Sequence, residues 1–193
     1  GSGMAERYHQ RFWKMVPLPE GTTFESRTEA TCSFNVAGPK SRDLLQRLSN
    51  ADLSTAAWPF MRSGRLTIAG VDCGALRVSF TGDLGWEIYC DERDQLAVYS
   101  ALIDAAREIG GGPVGSRALM SLRVEKGYGS WSREYSPEYW PQEVGLERLI
   151  KLDKPEFLGR EAYLKIKDNA PREMLVQMKV QVTTADAVGS EPI

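Results

Sequence analysis

Histidine is nearly missing from this 193-residue sequence: His9 is the only one. A Ser–His–Asp or Cys–His centre would have to be built on that side chain, near one end and among Tyr8, Phe12, Trp13 and Val16. The scarcity argues against such nucleophilic catalysis and against a histidine-rich metal site. Cysteine is sparse as well. Cys32, Cys73 and Cys90 are far apart, odd in number and form no C-x-x-C pattern. Neither a disulfide framework nor a zinc site is expected from them; small buried thiols in a reducing compartment are. No charge of one sign dominates, and a formal net charge of −2 leaves no basic footprint for nucleic acid. No apolar run is long enough to span a membrane. No stretch reads as a signal peptide, so the expected location is cytoplasmic. Residues 1–3, ahead of Met4, read as a cloning remnant. Internal repeats and low-complexity segments are absent too.

What is present suffices for a globular domain with a sizeable core: 42% of residues are hydrophobic and 26% charged. The chain is organised around residues 75–131. Leu76, Val78 and Phe80 alternate with Arg77, Ser79 and Thr81, the period of a half-buried strand. The string TGDLG over 81–85 supplies turn residues, with glycines that accept positive φ. WEIYC over 86–90 then runs back as a second strand. With Phe80 opposite Glu87, that carboxylate shares a face with Leu76, Val78 and Phe80, and needs an internal Arg or a ligand as partner. A loop one residue longer or shorter would turn it to the polar face.

Leu96, Tyr99, Leu102, Ile103, Ala106 and Ile109 predict a helix ended by Gly110. A second helix is expected over 115–126, with Ala118, Leu119 and Leu122 buried. Arg117, Ser121 and Glu125 form a polar stripe on it. That stripe is either a solvated Arg–Glu ladder or one wall of a concave site where Arg117 and Glu87 converge.

Elsewhere the pattern predicts helices over 4–16, 40–48 and 159–167. Strands are expected over 22–26, 30–36 and 174–182, with a further pair meeting near residues 70–72. Leu44, Leu45 and Leu48 should face inward. GPKSRD over 38–43 lacks the spacing of a phosphate loop. Residues 127–141 read as a loop carrying Tyr128, Trp131, Tyr135, Tyr139 and Trp140. These rings either close the core beneath the loop or stack on a flat heterocycle, with Trp131 the candidate for ligand contact. The fold class expected is α+β, a mostly antiparallel sheet with flanking helices.

TGDLGWE (81–87) and SRALMSLRVEKGY (116–128) resemble the folate-binding aminomethyltransferase family. So do NVAGPKSRDLL (35–45), PQEVGL (141–146) and FLGREA (157–162). The family includes the glycine cleavage T-protein and the C-terminal folate domains of dimethylglycine and sarcosine dehydrogenases. WPFM over 58–61 and Trp131 lean toward the dehydrogenase branch. Relatives in iron–sulfur maturation carry Lys-Gly-Cys where this chain has Lys126, Gly127 and Tyr128, which speaks against them. The resemblance implies a tetrahydrofolate-binding domain that moves a one-carbon unit between an amine and folate N5. It implies Glu87 as the pterin contact and Arg117 as a second folate contact. A carboxylate accepts from adjacent ring N–H donors, and Arg offers a rigid donor fork. It implies no metal, and FAD only on a separate flavoprotein domain or subunit. The sequence departs from the family pattern at both ends. The segment bearing the family's catalytic aspartate is not matched, so no catalytic residue is assigned. The expectation is a partial folate domain over 4–182, followed over 183–193 by the start of a truncated C-terminal barrel or a tail. The alternative is a non-catalytic folate-binding or assembly module that docks to a flavoprotein partner. An exposed apolar patch and a homodimer would favour that alternative.

Overall fold

The computed structural model describes residues 3–181 and 183–184, with side chains from Glu6 onward. The end of the strand expected over 174–182, and residues 185–193 of the expected tail, lie outside the described residues. The chain divides into two compact units, Gly1–Tyr128 and Gly129–Ile193.

The first unit is α+β. Its sheet has four strands: β1 (Thr31–Ala37), β2 (Ser63–Ile68), β3 (Val71–Leu76) and β4 (Gly85–Asp91). They are antiparallel in the order β1-β4-β3-β2. Helices α1 (Gly3–Trp13), α2 (Ser41–Leu48), α3 (Gln95–Glu108) and α4 (Ser116–Glu125) accompany them. β2 and β3 are joined by Ala69 and Gly70 alone, with φ of 52° and 76°. Positive φ at both central residues is the turn whose twist matches that of its flanking strands.

One face of the sheet is the core face. Leu66, Ile68, Cys73, Ala75, Trp86, Ile88 and Cys90 meet Leu44 and Leu45 of α2 and Val98, Leu102, Ala105 and Ala106 of α3. Leu44 and Leu45 face inward as their spacing predicts; Leu48 packs against the edge of this cluster. The α3 stripe is rotated from the one expected. Val98 and Ala105 are buried, whereas Leu96 is 76% exposed and Tyr99 is exposed too. Apolar spacing fitted two overlapping stripes, and packing on the sheet chose the one with smaller residues.

The hairpin forms, with a different register. Leu76, and not Phe80, stands opposite Glu87. Beyond Leu76 the chain leaves β4: the Arg77 amide donates to the Arg62 carbonyl, prolonging the β2 side of the ladder. Val78 and Phe80 therefore lie in the connecting loop. The shift is even, so Glu87 still shares its face with Leu76, but that face lies opposite the core, which Ala75, Trp86 and Ile88 line, and is not the apolar inward face expected. Gly82 takes φ of 75°, as a turn glycine should. Gly85 serves a close approach instead: a Cβ there would meet Ser79 Cβ at 2.9 Å and the Val36 carbonyl at 3.0 Å.

Residues 22–26 form no strand. Phe24 sets its ring edge-on to Trp13 at 4.8 Å, a contact that holds the segment without a ladder. In α4 the buried residue is Arg123, 3% exposed, with Leu119 and Leu122 half-buried and Ala118 exposed. Arg123 Nη1 donates to the Tyr128 carbonyl at 3.1 Å, which satisfies one donor of the buried guanidinium.

The cysteines are distant in sequence and close in space. Cys32 is directly opposite Cys90, and Cys73 lies on the neighbouring strand. All are free thiols, with Cys73 and Cys90 buried. Burial pushes the Cys73 thiol up to about 11 and raises that of Cys90. Thiolate is the reactive form, and a rise from 9.0 to about 11 leaves about 100-fold less of it at pH 8. Iodoacetamide is expected to label Cys73 and Cys90 only on unfolding, with half-buried Cys32 labelled first; mass mapping of the alkylated sites checks this.

The second unit holds α5 (Arg160–Ile166) and two single 3-10 turns, Pro141–Glu143 and Glu147–Leu149. Residues 174–181 are not paired as a strand, contrary to their alternation. Met174, Val176, Met178 and Val180 are all exposed. A strand needs a partner ladder, and among the described residues none is offered to it.

Candidate functional site

α2 and α3 cover only one face of the sheet. Glu87 and Tyr89 point from β4 to the other, because alternate strand residues take opposite faces. Directly across from Glu87 are Asn35 on β1 and Leu76 on β3. Directly across from Tyr89 are Ser33 and Gly74. Glu87 is half-buried there, between full solvent and core.

The expected partner of Glu87 was an internal Arg or a ligand. The internal partner is Tyr89, whose hydroxyl donates to Glu87 Oε2. Burial, and then this bond to a carboxylate, push the Tyr89 phenol up to about 12. The hydroxyl therefore stays protonated, and so a donor, at any pH near neutral. Glu87 Oε1 accepts no hydrogen bond among the described residues.

Arg117 sits in the first turn of α4 and is exposed. Among the described residues its guanidinium makes no ion pair or hydrogen bond, and none joins it to Glu87. Its carbonyl accepts from the Ser121 hydroxyl one turn on, at 3.3 Å. Trp131 belongs to the second unit. It is half-buried and bridges Tyr135 through the backbone. Two of the loop rings have local roles. Tyr135 fills the space left by Gly129, where a Cβ would come within 2.3 Å of its ring. Trp140 lies under the Arg172 guanidinium at 4.5 Å.

Tyr89 also lines a cavity of about 540 Å³ with Arg27, Arg65, Asp72, Gly74 and Asp91. Its charges answer one another. Arg65 grips the Asp72 carboxylate through Nε at 3.0 Å and Nη2 at 2.6 Å. That contact holds the Asp72 carboxyl below its usual range and raises Arg65. Arg27 reaches Asp91 at 3.4 Å. Exposed pairs of this kind contribute little to stability.

Sequence reasoning missed Tyr89. The signal was available: in a strand, i and i+2 share a face, and a Tyr two residues past a Glu can reach it.

Three comparisons place the chain among known proteins. The model of the GCVT N-terminal domain matches residues 1–154. Human mitochondrial dimethylglycine dehydrogenase is 36% identical over 196 aligned residues, covering 100% of this chain and 23% of that protein. Human mitochondrial sarcosine dehydrogenase is 42% identical, over 67% of this chain and 14% of that protein. The chain thus spans less than a quarter of these relatives' length. The crystal structure of glycine cleavage system aminomethyltransferase T from Bartonella henselae matches 73% of this chain and 37% of that one, with a TM-score of 0.62 at 23% identity. At that identity the likeness shows the fold alone. Among the described residues no helix is long and apolar enough to cross a membrane.

Proposed function

The chain belongs to the GCVT N-terminal domain family, and on that premise we propose that it binds tetrahydrofolate and serves one-carbon transfer linked to dimethylglycine- or sarcosine-type amine oxidation. The observation that carries this reading is Glu87. Its carboxylate is half-buried on the face opposite α2 and α3, and its Oε1 accepts no hydrogen bond among the described residues. A pterin edge presents adjacent N–H donors, which a carboxylate of this kind accepts. Arg117, exposed and without an ion pair among the described residues, is the proposed second contact. Bound tetrahydrofolate would supply the nitrogen that receives the one-carbon unit; the chain's own residues bind and orient it. The oxidation itself is assigned to a flavoprotein domain or subunit carrying FAD. The three free thiols suit a reducing compartment such as the cytoplasm, although the human relatives are named as mitochondrial.

The test is calorimetric titration with 5-formyltetrahydrofolate. Glu87→Gln is expected to weaken binding roughly 10- to 100-fold, the loss of a charge-assisted pair of hydrogen bonds. Arg117→Ala should weaken it roughly 10-fold. Unchanged affinity in Glu87→Gln would sink the assignment. A second reading, a non-catalytic module docking to a flavoprotein, rests on the apolar side chains exposed at and just beyond the end of α1: Trp13 at 53% and Met15 at 70%. A folded chain that binds no folate would favour it.

A further inference from the structure

We propose that Tyr89 is a positioning residue that holds the Glu87 carboxylate in the orientation in which it receives a ligand's N–H edge. The proposal rests on the folate reading of Glu87 and adds to it a residue that does not itself touch the ligand. Three observations carry it. Tyr89 donates its hydroxyl to Oε2 of Glu87, and Oε1 accepts no hydrogen bond among the described residues. Both residues stand on β4, an inner strand paired on both sides, so the backbone beneath them is held by two ladders. Across from Tyr89, Gly74 presents no side chain to compete with the phenol for Glu87.

A free glutamate side chain samples many rotamers, and binding a flat, two-donor edge selects one of them. A fixed donor on Oε2 makes that selection before the ligand arrives. It leaves Oε1 and the second lone pair of Oε2 to accept the two N–H groups. The geometry also requires the phenol to remain neutral, and its surroundings keep it so.

A double-mutant cycle on the whole chain tests this, read by calorimetry with 5-formyltetrahydrofolate. Tyr89→Phe keeps the ring and removes only the hydroxyl. It is expected to weaken binding about 3- to 10-fold in the wild-type background, with an unchanged melting midpoint, and to have no further effect in Glu87→Gln. A merely structural role for Tyr89 would weaken both backgrounds equally, and that result overturns the proposal. So does wild-type affinity in Tyr89→Phe while Glu87→Gln binds weakly, a result that leaves the folate reading standing. If Glu87→Gln binds as wild type does, or wild type binds no folate, the reading falls and the proposal with it.

Discussion

Ile88→Ala is expected to destabilise the first unit by about 3–4 kcal/mol, the range for truncating a fully buried aliphatic side chain. Ile88 is 0% exposed and lies on an inner strand of the sheet. Its strand neighbours are Phe34 on β1 and Ala75 on β3, and the core residues Trp86 and Cys90 flank it along β4. The cavity left by Ala cannot collapse, because the sheet is laddered on both sides and α2 and α3 close it from above. Ile88→Val should cost only about 1 kcal/mol. Leu96→Ala provides the contrast: its side chain is 76% exposed, so its change should stay within about 0.5 kcal/mol. Urea titration of the three variants, with the slope checked against wild type, reads these values. Similar losses for Ile88→Ala and Leu96→Ala would contradict the packing described. Because Glu87 and Tyr89 flank Ile88 on β4, the same truncation should also weaken the folate binding proposed above.

Arg172→Ala is expected to lower the melting midpoint of the second unit by roughly 5–10 °C. The reason is Glu143, a carboxylate only 2% exposed. Its Oε2 accepts from the Trp140 amide and from Arg172 Nη2, each at 2.7 Å. Its Oε1 accepts from the Arg172 amide at 3.0 Å and from Arg172 Nε at 2.8 Å. Its carbonyl accepts from the Leu175 amide at 2.8 Å. One carboxylate therefore ties the segment around residues 172–175 to the turn at Pro141–Glu143. Removing Arg172 leaves a buried charge with backbone donors alone. Arg172 is the first cause holding the Glu143 carboxyl down from 4.5 to about 2. A depressed folded value means the stabilisation is fully present above 4.5 and is lost as pH falls through about 2. Thermal unfolding followed from pH 6 to pH 2 should show wild type losing stability in that window and Glu143→Gln, with no proton to gain, losing much less. Parallel curves for the two would mean Glu143 is not the titrating group.

How much of this was legible beforehand depends on the range over which each feature is set. The α+β class, the hairpin around Glu87, the helices near α2, α3 and α5, and the short turn near Gly70 all follow from the periods of neighbouring residues and from turn chemistry. The parity that places Glu87 with Leu76 was one of two left open by the loop length, and the structure took it through an even register shift. The family resemblance rested on short strings in order, and the match over residues 1–154 agrees with it.

What the sequence by itself determined is therefore local: most of the helices, the turn near Gly70 and the strands beside it. Only the tertiary structure decided which face is covered. α2 and α3 took the face of Trp86 and Ile88, so Glu87 lies on the face opposite them. It decided that Tyr89 is the carboxylate's partner, that α3 buries Val98 and not Leu96, and that Arg123 goes inside. It brought Cys32 opposite Cys90 and Glu143 to Arg172, pairs far apart along the chain. It left residues 174–181 without the ladder that their alternation invites. The physical reason is the same in each case. Backbone periodicity is a property of neighbours in sequence, whereas burial, charge pairing and strand partnership are properties of whichever surfaces meet, and alternation alone does not say what it will meet.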